Sequence, residues 1–339
     1  MAPRAFITGL SGLTLTTDER AFLRETRPWG LILFKRNVDN ATQVSDLVRE
    51  SLCELGGEAP VLIDQEGGRV QRLGPPHWPA YPPGAAYGRI YDRDPAAGLA
   101  AARLGARLIA SDLMALGINV DCLPLADVPV SGADRVIGDR AYGETPAKVA
   151  AIAAAIAEGL AMGGVLPVLK HIPGHGRANA DSHEKLPVVH ADRATLDATD
   201  FAAFRPLKKL PLGMTAHVVF TAFDTVLPAT TSPVMIREVI RGSIGFDGLL
   251  MGDDVSMEAL KGTIAERARA SLAAGCDLVL HCNGKMDEMR QVAAEAPELA
   301  GDAARRSAAA LAARKPPEPI DLEAARREFA AMTKDVLIS

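Results

Sequence analysis

The chain has little aromatic surface to offer: Phe, Trp and Tyr together make up 4% of its 339 residues. Stacking platforms for single strands need such rings, and electrostatic docking to nucleic acid needs a basic run. No basic run is present and the net charge is −5, which excludes a nucleic-acid partner. No apolar stretch approaches the roughly 18–20 residues of a bilayer span, so no membrane partner is expected. The first residues, Met1-Ala2-Pro3-Arg4-Ala5-Phe6, lack the apolar core and cleavage site of a signal peptide. Only four cysteines occur, Cys53, Cys122, Cys276 and Cys282, without metal-type spacing and three of them in apolar contexts. That usage suits buried free thiols in a reducing compartment, and a cytoplasmic protein is expected. No Gly-x-Gly-x-x-Gly follows the first apolar run, and no low-complexity linker splits the chain.

What is present is apolar and regularly spaced. Hydrophobic residues make up 48% and charged ones 23%, enough for a sizeable core. Short apolar runs at Ala5–Thr8, Gly30–Phe34, Val61–Asp64, Ile118–Cys122, Val165–His171, Leu212–His217, Gly248–Gly252 and Asp277–His281 read as eight strands. They are too uniformly apolar to be half-exposed, as in a parallel sheet covered on both faces. Helical signals fill the gaps. Val149, Ile152, Ile156 and Leu160 share one face of Ala147–Met162, Leu99–Leu116 stops at Gly117, and Ser232-Pro233 opens a helix running to Arg241. Eight such alternations predict an α/β fold, a single-domain (β/α)8 TIM barrel over residues 1–339. Gly74–Gly88 reads as a loop over its mouth, and 321–334 as an added C-terminal helix capped by Asp321.

The polar clusters follow the strands, at the end where a barrel carries its site. The third is followed by Asp64-Gln65-Glu66-Gly67-Gly68-Arg69-Val70-Gln71-Arg72, the fourth by Asp127 and Ile137-Gly138-Asp139-Arg140-Ala141-Tyr142. The fifth ends in Lys170-His171-Ile172-Pro173-Gly174-His175-Gly176, with Asp181-Ser182-His183 beyond; the sixth ends at His217 and the seventh at Asp253-Asp254. Carboxylates, cations and an Asp-x-His pair converging on one mouth suit a substrate with many hydroxyls. Plainer readings stand beside this one. Arg72 or Arg140 alone would be a salt-bridge residue, and one of Asp253 and Asp254 would serve as a helix N-cap. His217 fits a packed histidine as well as a site residue. Gly67-Gly68 reads as a tight turn, since the Gly-Lys-Ser/Thr of a phosphate cradle is missing. His171 and His175 have a zinc-like spacing only on a helix, which Pro173 and Gly174 forbid.

These motifs, in this order, resemble family 3 glycoside hydrolases over roughly Ile7 to Asn283. The resemblance implies a TIM barrel, no cofactor and no metal, and a retaining double displacement. It places Asp253 as nucleophile, with Gly252 where the family has Ser, His183 as general acid/base and Asp181 as the carboxylate paired with it. It further implies that Asp64, Arg72, Arg140, Lys170 and His171 hold the hydroxyls and acetamido group of N-acetylglucosamine. The chemistry of the residues agrees: one carboxylate forms the glycosyl intermediate while a second group protonates the leaving oxygen. Histidine titrates near neutrality and an adjacent carboxylate orients it.

The expected protein is therefore a monomeric exo-β-N-acetylglucosaminidase acting on small carbohydrate or muropeptide substrates, GlcNAc-1,6-anhydroMurNAc with or without peptide. Two rivals differ in kind: a metal-dependent hydrolase using His171, His175 and His183, and a non-catalytic muropeptide-binding sensor.

Overall fold

The computed structural model describes residues 2–182 and 184–336. Eight parallel strands form one sheet: β1 (Arg4–Gly9), β2 (Pro28–Leu33), β3 (Val61–Ile63), β4 (Val120–Asp121), β5 (Leu166–Ile172), β6 (Leu212–Thr215), β7 (Leu249–Met251) and β8 (Val279–His281). Their order in the sheet is β7-β6-β5-β4-β3-β2-β1-β8. The ring closes between β7 and β8, where Met251 bridges Leu278 and the Gly252 N–H donates to the Leu278 carbonyl at 3.1 Å. The fold is a TIM barrel. Every residue of β2 and β5 is buried, because helices cover the outside of the sheet and side chains fill its inside.

The helices obey the terminal signals written into the chain. Asp94 caps Pro95–Met114 by accepting from the Ala96 and Ala97 N–H groups, and Gly117 takes the positive φ beyond its end. Pro146–Met162 packs against it. Met235–Ile244 is a π-helix whose Met235 N–H is taken by the Ser232 hydroxyl, and Gly245 ends it three residues beyond the expected Arg241. The terminal helix is Leu322–Thr333, with the Asp321 carboxylate accepting from Glu323 and Ala324. Among the described residues no helix is long and apolar enough to cross a membrane.

One stretch differs from its expectation. Gly74–Gly88 is not loop throughout, since a helix begins at Gly84 and runs to Arg93. Its glycines serve packing: a Cβ at Gly84 or Gly88 would collide with the backbone carbonyls of Arg140 and Tyr142. The helix therefore lies directly against the backbone of the Arg140–Tyr142 segment.

Candidate active site

Behind β3 the chain makes a hairpin, Gln65–Gly67 against Val70–Gln71, turning through Gly67 and Gly68 at φ +95 and +58. The glycine pair is thus the tight turn its sequence suggested. The hairpin returns Arg72 to Asp64, with Nη2 to Oδ2 at 2.9 Å. From β5, Lys170 reaches the other oxygen of Asp64 at 3.0 Å and Glu66 Oε1 at 2.7 Å. Arg140 grips Glu66 with two parallel hydrogen bonds, Nε to Oε2 at 2.8 Å and Nη2 to Oε1 at 2.7 Å. Three cations and two carboxylates thus form one connected net.

Burial acts first on this net and pushes both carboxyls toward neutrality. The Lys170 and Arg72 charges outweigh it at Asp64, which stays well below the usual carboxylate range. At Glu66, Arg140 and Lys170 outweigh it and hold the pKa down to about 2. Burial would likewise lower Lys170, but Asp64 and Glu66 raise it above its ordinary value. All three are ionised at neutral pH. Asp121, beneath them, is the opposite case: burial raises its pKa well above the ordinary value. Its Oδ1 accepts from the Gln65 N–H, and Oδ2 has no partner among the described residues.

A second carboxylate governs the loop after β5. Asp127 Oδ2 lies 2.7 Å from His171 Nδ1, and Oδ1 accepts the His175 N–H at 2.6 Å. The His175 ring continues to the Ser182 hydroxyl, Nε2 to Oγ at 3.1 Å. Burial, and then the nearby His171, lowers the His175 pKa to about 4, so this imidazole is neutral at pH 7. His171 lies near the end of β5 and His175 beyond the turn at Pro173-Gly174, so no helix carries the pair. Among the described residues no three His, Cys, Asp or Glu side chains are grouped to hold a metal ion.

The third element follows β7. The Asp254 N–H donates to Asp253 Oδ1 at 2.8 Å. Asp254 itself accepts from the N–H groups of Ser256 and Cys282 and from the Ser256 hydroxyl, which ties the turn to β8. Neither Asp is a helix N-cap: the next helix is Ile264–Ala274, capped by Thr263. His217 is the packed histidine of its two readings. It is fully buried, with Nδ1 2.7 Å from the Thr230 hydroxyl and Nε2 3.0 Å from the Asp254 carbonyl.

Asp253, Asp181, Asp64, Arg72, Arg140, Lys170 and His171 all line one cavity of about 320 Å³. His183, the eighth residue proposed from sequence, lies outside the described residues. The cavity sits at the small end of the range for ligand pockets, roughly 300–1,000 Å³, and matches one sugar ring better than an extended chain. Phe34, Met214, Met257 and Leu280 supply its apolar wall. Sequence reasoning gave no part to Glu66 or Asp127. Each stood in a quoted strand-end cluster, but nothing in sequence couples residue 66 to residues 140 and 170, or residue 127 to 171 and 175.

The sequence profile of the glycosyl hydrolase family 3 N-terminal domain matches residues 9–309. A β-hexosaminidase of Alkalilimnicola ehrlichii is 41% identical over 281 residues, covering 81% of this chain and 79% of its own. The structure of NagZ from Neisseria gonorrhoeae in complex with N-trifluoroacetyl-D-glucosamine is 32% identical with a TM-score of 0.86, covering 98% of this chain and 99% of that one. A family 3 β-N-acetylglucosaminidase from Paenibacillus sp. is 29% identical with a TM-score of 0.84; this chain spans 66% of that longer one. The chain belongs to glycosyl hydrolase family 3. Within it, the protein is a glycoside hydrolase of the β-N-acetylhexosaminidase type.

Proposed function

We propose that the chain is a single-domain, retaining exo-β-N-acetylglucosaminidase that removes a non-reducing N-acetylglucosamine from cytoplasmic muropeptides, GlcNAc-1,6-anhydroMurNAc with or without its peptide. Asp253 attacks the anomeric carbon and becomes glycosylated. His183, paired with Asp181, protonates the departing oxygen and then deprotonates the water that releases the sugar. Asp64, Arg72, Arg140, Lys170 and His171 hold the ring.

The observation that carries this reading is convergence: a carboxylate after β7, a carboxylate on the β5 loop and the ionised net of β3 and β5 share one small cavity. Buried, pre-paired charges are costly to assemble and serve best where they meet a polar ligand whose hydroxyls complete their hydrogen bonds. A structural relative binds an N-acylated glucosamine derivative, which favours an acetamido sugar in the corresponding place. The test is nitrophenolate release from the β-linked N-acetylglucosaminide and the β-glucoside, side by side, with and without chelator. Release from the first alone, indifferent to chelator, is expected. Loss with chelator would favour the metal hydrolase, and no release from either would favour the sensor.

A further inference from the structure

Asp127 is fully buried and stands behind the cavity wall rather than in it. Burial pushes its carboxyl up, but His171 and His175 outweigh that and lower it below its ordinary value, so it remains a carboxylate. A carboxylate only accepts hydrogen bonds, so the His171 nitrogen 2.7 Å from Oδ2, Nδ1, must carry a proton. That leaves Nε2 as the ring nitrogen for the cavity that His171 lines. The other oxygen takes the His175 N–H at 2.6 Å, and the His175 side chain reaches Ser182, the residue between Asp181 and His183. The same strand end is closely packed against the loop. A Cβ at Gly176 would collide with the Val128 carbonyl, and Val130 and Asp134 donate backbone hydrogen bonds to Gly176 and Ala178.

We propose that Asp127 is a positioning residue for both halves of the reaction. It fixes which His171 tautomer meets the sugar, and through His175 and Ser182 it pegs the loop that carries Asp181. The inference rests on the reading of His171 as sugar-binding and of this loop as bearing the acid/base pair. Nothing passes through Asp127 chemically; it donates no proton and touches no substrate.

Asp127→Asn tests it, because the amide keeps the size of the carboxylate. The amide oxygen still accepts the His175 N–H, while the NH2 group now faces His171 Nδ1 and drives the ring proton to Nε2. In the wild type, the ¹⁵N spectrum of His171 should show a protonated Nδ1. In the Asn variant Nδ1 should be unprotonated, with N-acetylglucosamine binding weakened roughly 10- to 100-fold. Ser182→Ala should leave the His171 spectrum unchanged and lower kcat several-fold, more on poor leaving groups. A wild-type His171 protonated on Nε2 alone would overturn the proposal even if the Asn variant failed to fold. So would an Asn variant with the wild-type spectrum and affinity and only a lower Tm. A wild type that binds no N-acetylglucosamine would instead overturn the sugar-site reading beneath it.

Discussion

Lys170 Nζ lies 2.7 Å from Glu66 Oε1, and both side chains are almost wholly withdrawn from water, at 2% and 4% exposure. Lys170 also meets Asp64, and Glu66 also meets Arg140, so removing either charge leaves two buried neighbours short of a partner. Breaking a buried pair typically costs about 3–5 kcal/mol. Lys170→Met leaves Asp64 and Glu66 facing each other in the same buried space. A Tm drop on the order of 10 °C is expected by calorimetry, with loss of N-acetylglucosamine binding. A Tm within a degree or so of wild type would show that the net is far less coupled than its geometry states.

Glu66→Gln separates positioning from folding more gently. The amide loses one of its two acceptor oxygens, so Arg140 keeps at most one of its two hydrogen bonds and both Arg140 and Lys170 face the sugar less constrained. Binding of N-acetylglucosamine should weaken roughly 10-fold, with a smaller change in kcat, since the lost contact acts on bound sugar and transition state alike. Isothermal titration beside steady-state kinetics checks the split.

Asp253→Ala should lower kcat by roughly 10³-fold or more while sparing sugar affinity, because the nucleophile acts after binding. Retained turnover within about tenfold of wild type would remove Asp253 from the chemistry.

His183→Ala should damage hydrolysis of poor leaving groups far more than release of nitrophenolate, which departs without protonation. Parallel rates on a nitrophenyl glycoside and a disaccharide make the comparison. Equal losses on both would sink the acid/base assignment.

Stability should fall on mild acidification. The folded-state pKa of His175 is about 4, against an ordinary 6.5. The unfolded chain therefore takes up the proton first as pH falls. The stabilisation is complete above about pH 6.5 and lost progressively down to about pH 4, on the order of 3 kcal/mol in all. His217, lowered first by its burial, acts in the same direction. Urea unfolding at about pH 7.5 and about pH 5 should show a lower midpoint at the acid value, and a smaller difference in His175→Asn. Equal midpoints in the wild type would contradict the account.

The barrel was largely legible because burial on both faces leaves its strands as plain apolar runs. All eight expected strands occur, though Ile118–Cys122 is trimmed to Val120–Asp121 and Leu212–His217 to Leu212–Thr215. The seven described candidates share a cavity because charged residues at strand ends have nowhere to go but the mouth. What escaped the sequence was pairing. Glu66 meets Arg140 across 74 residues and Asp127 meets His171 across 44, distances over which no local periodicity reports contact. Gly84 misled in another way: glycine signals a loop by backbone freedom, yet here it lets a helix approach a neighbouring backbone.

The central claim is a double displacement through Asp253, and the anomeric configuration of the first sugar released tests it most directly. Proton NMR of the products in the first minutes, before mutarotation, reads that configuration. The account predicts the β anomer. The α anomer would mean a single displacement by water and would contradict a glycosylated Asp253.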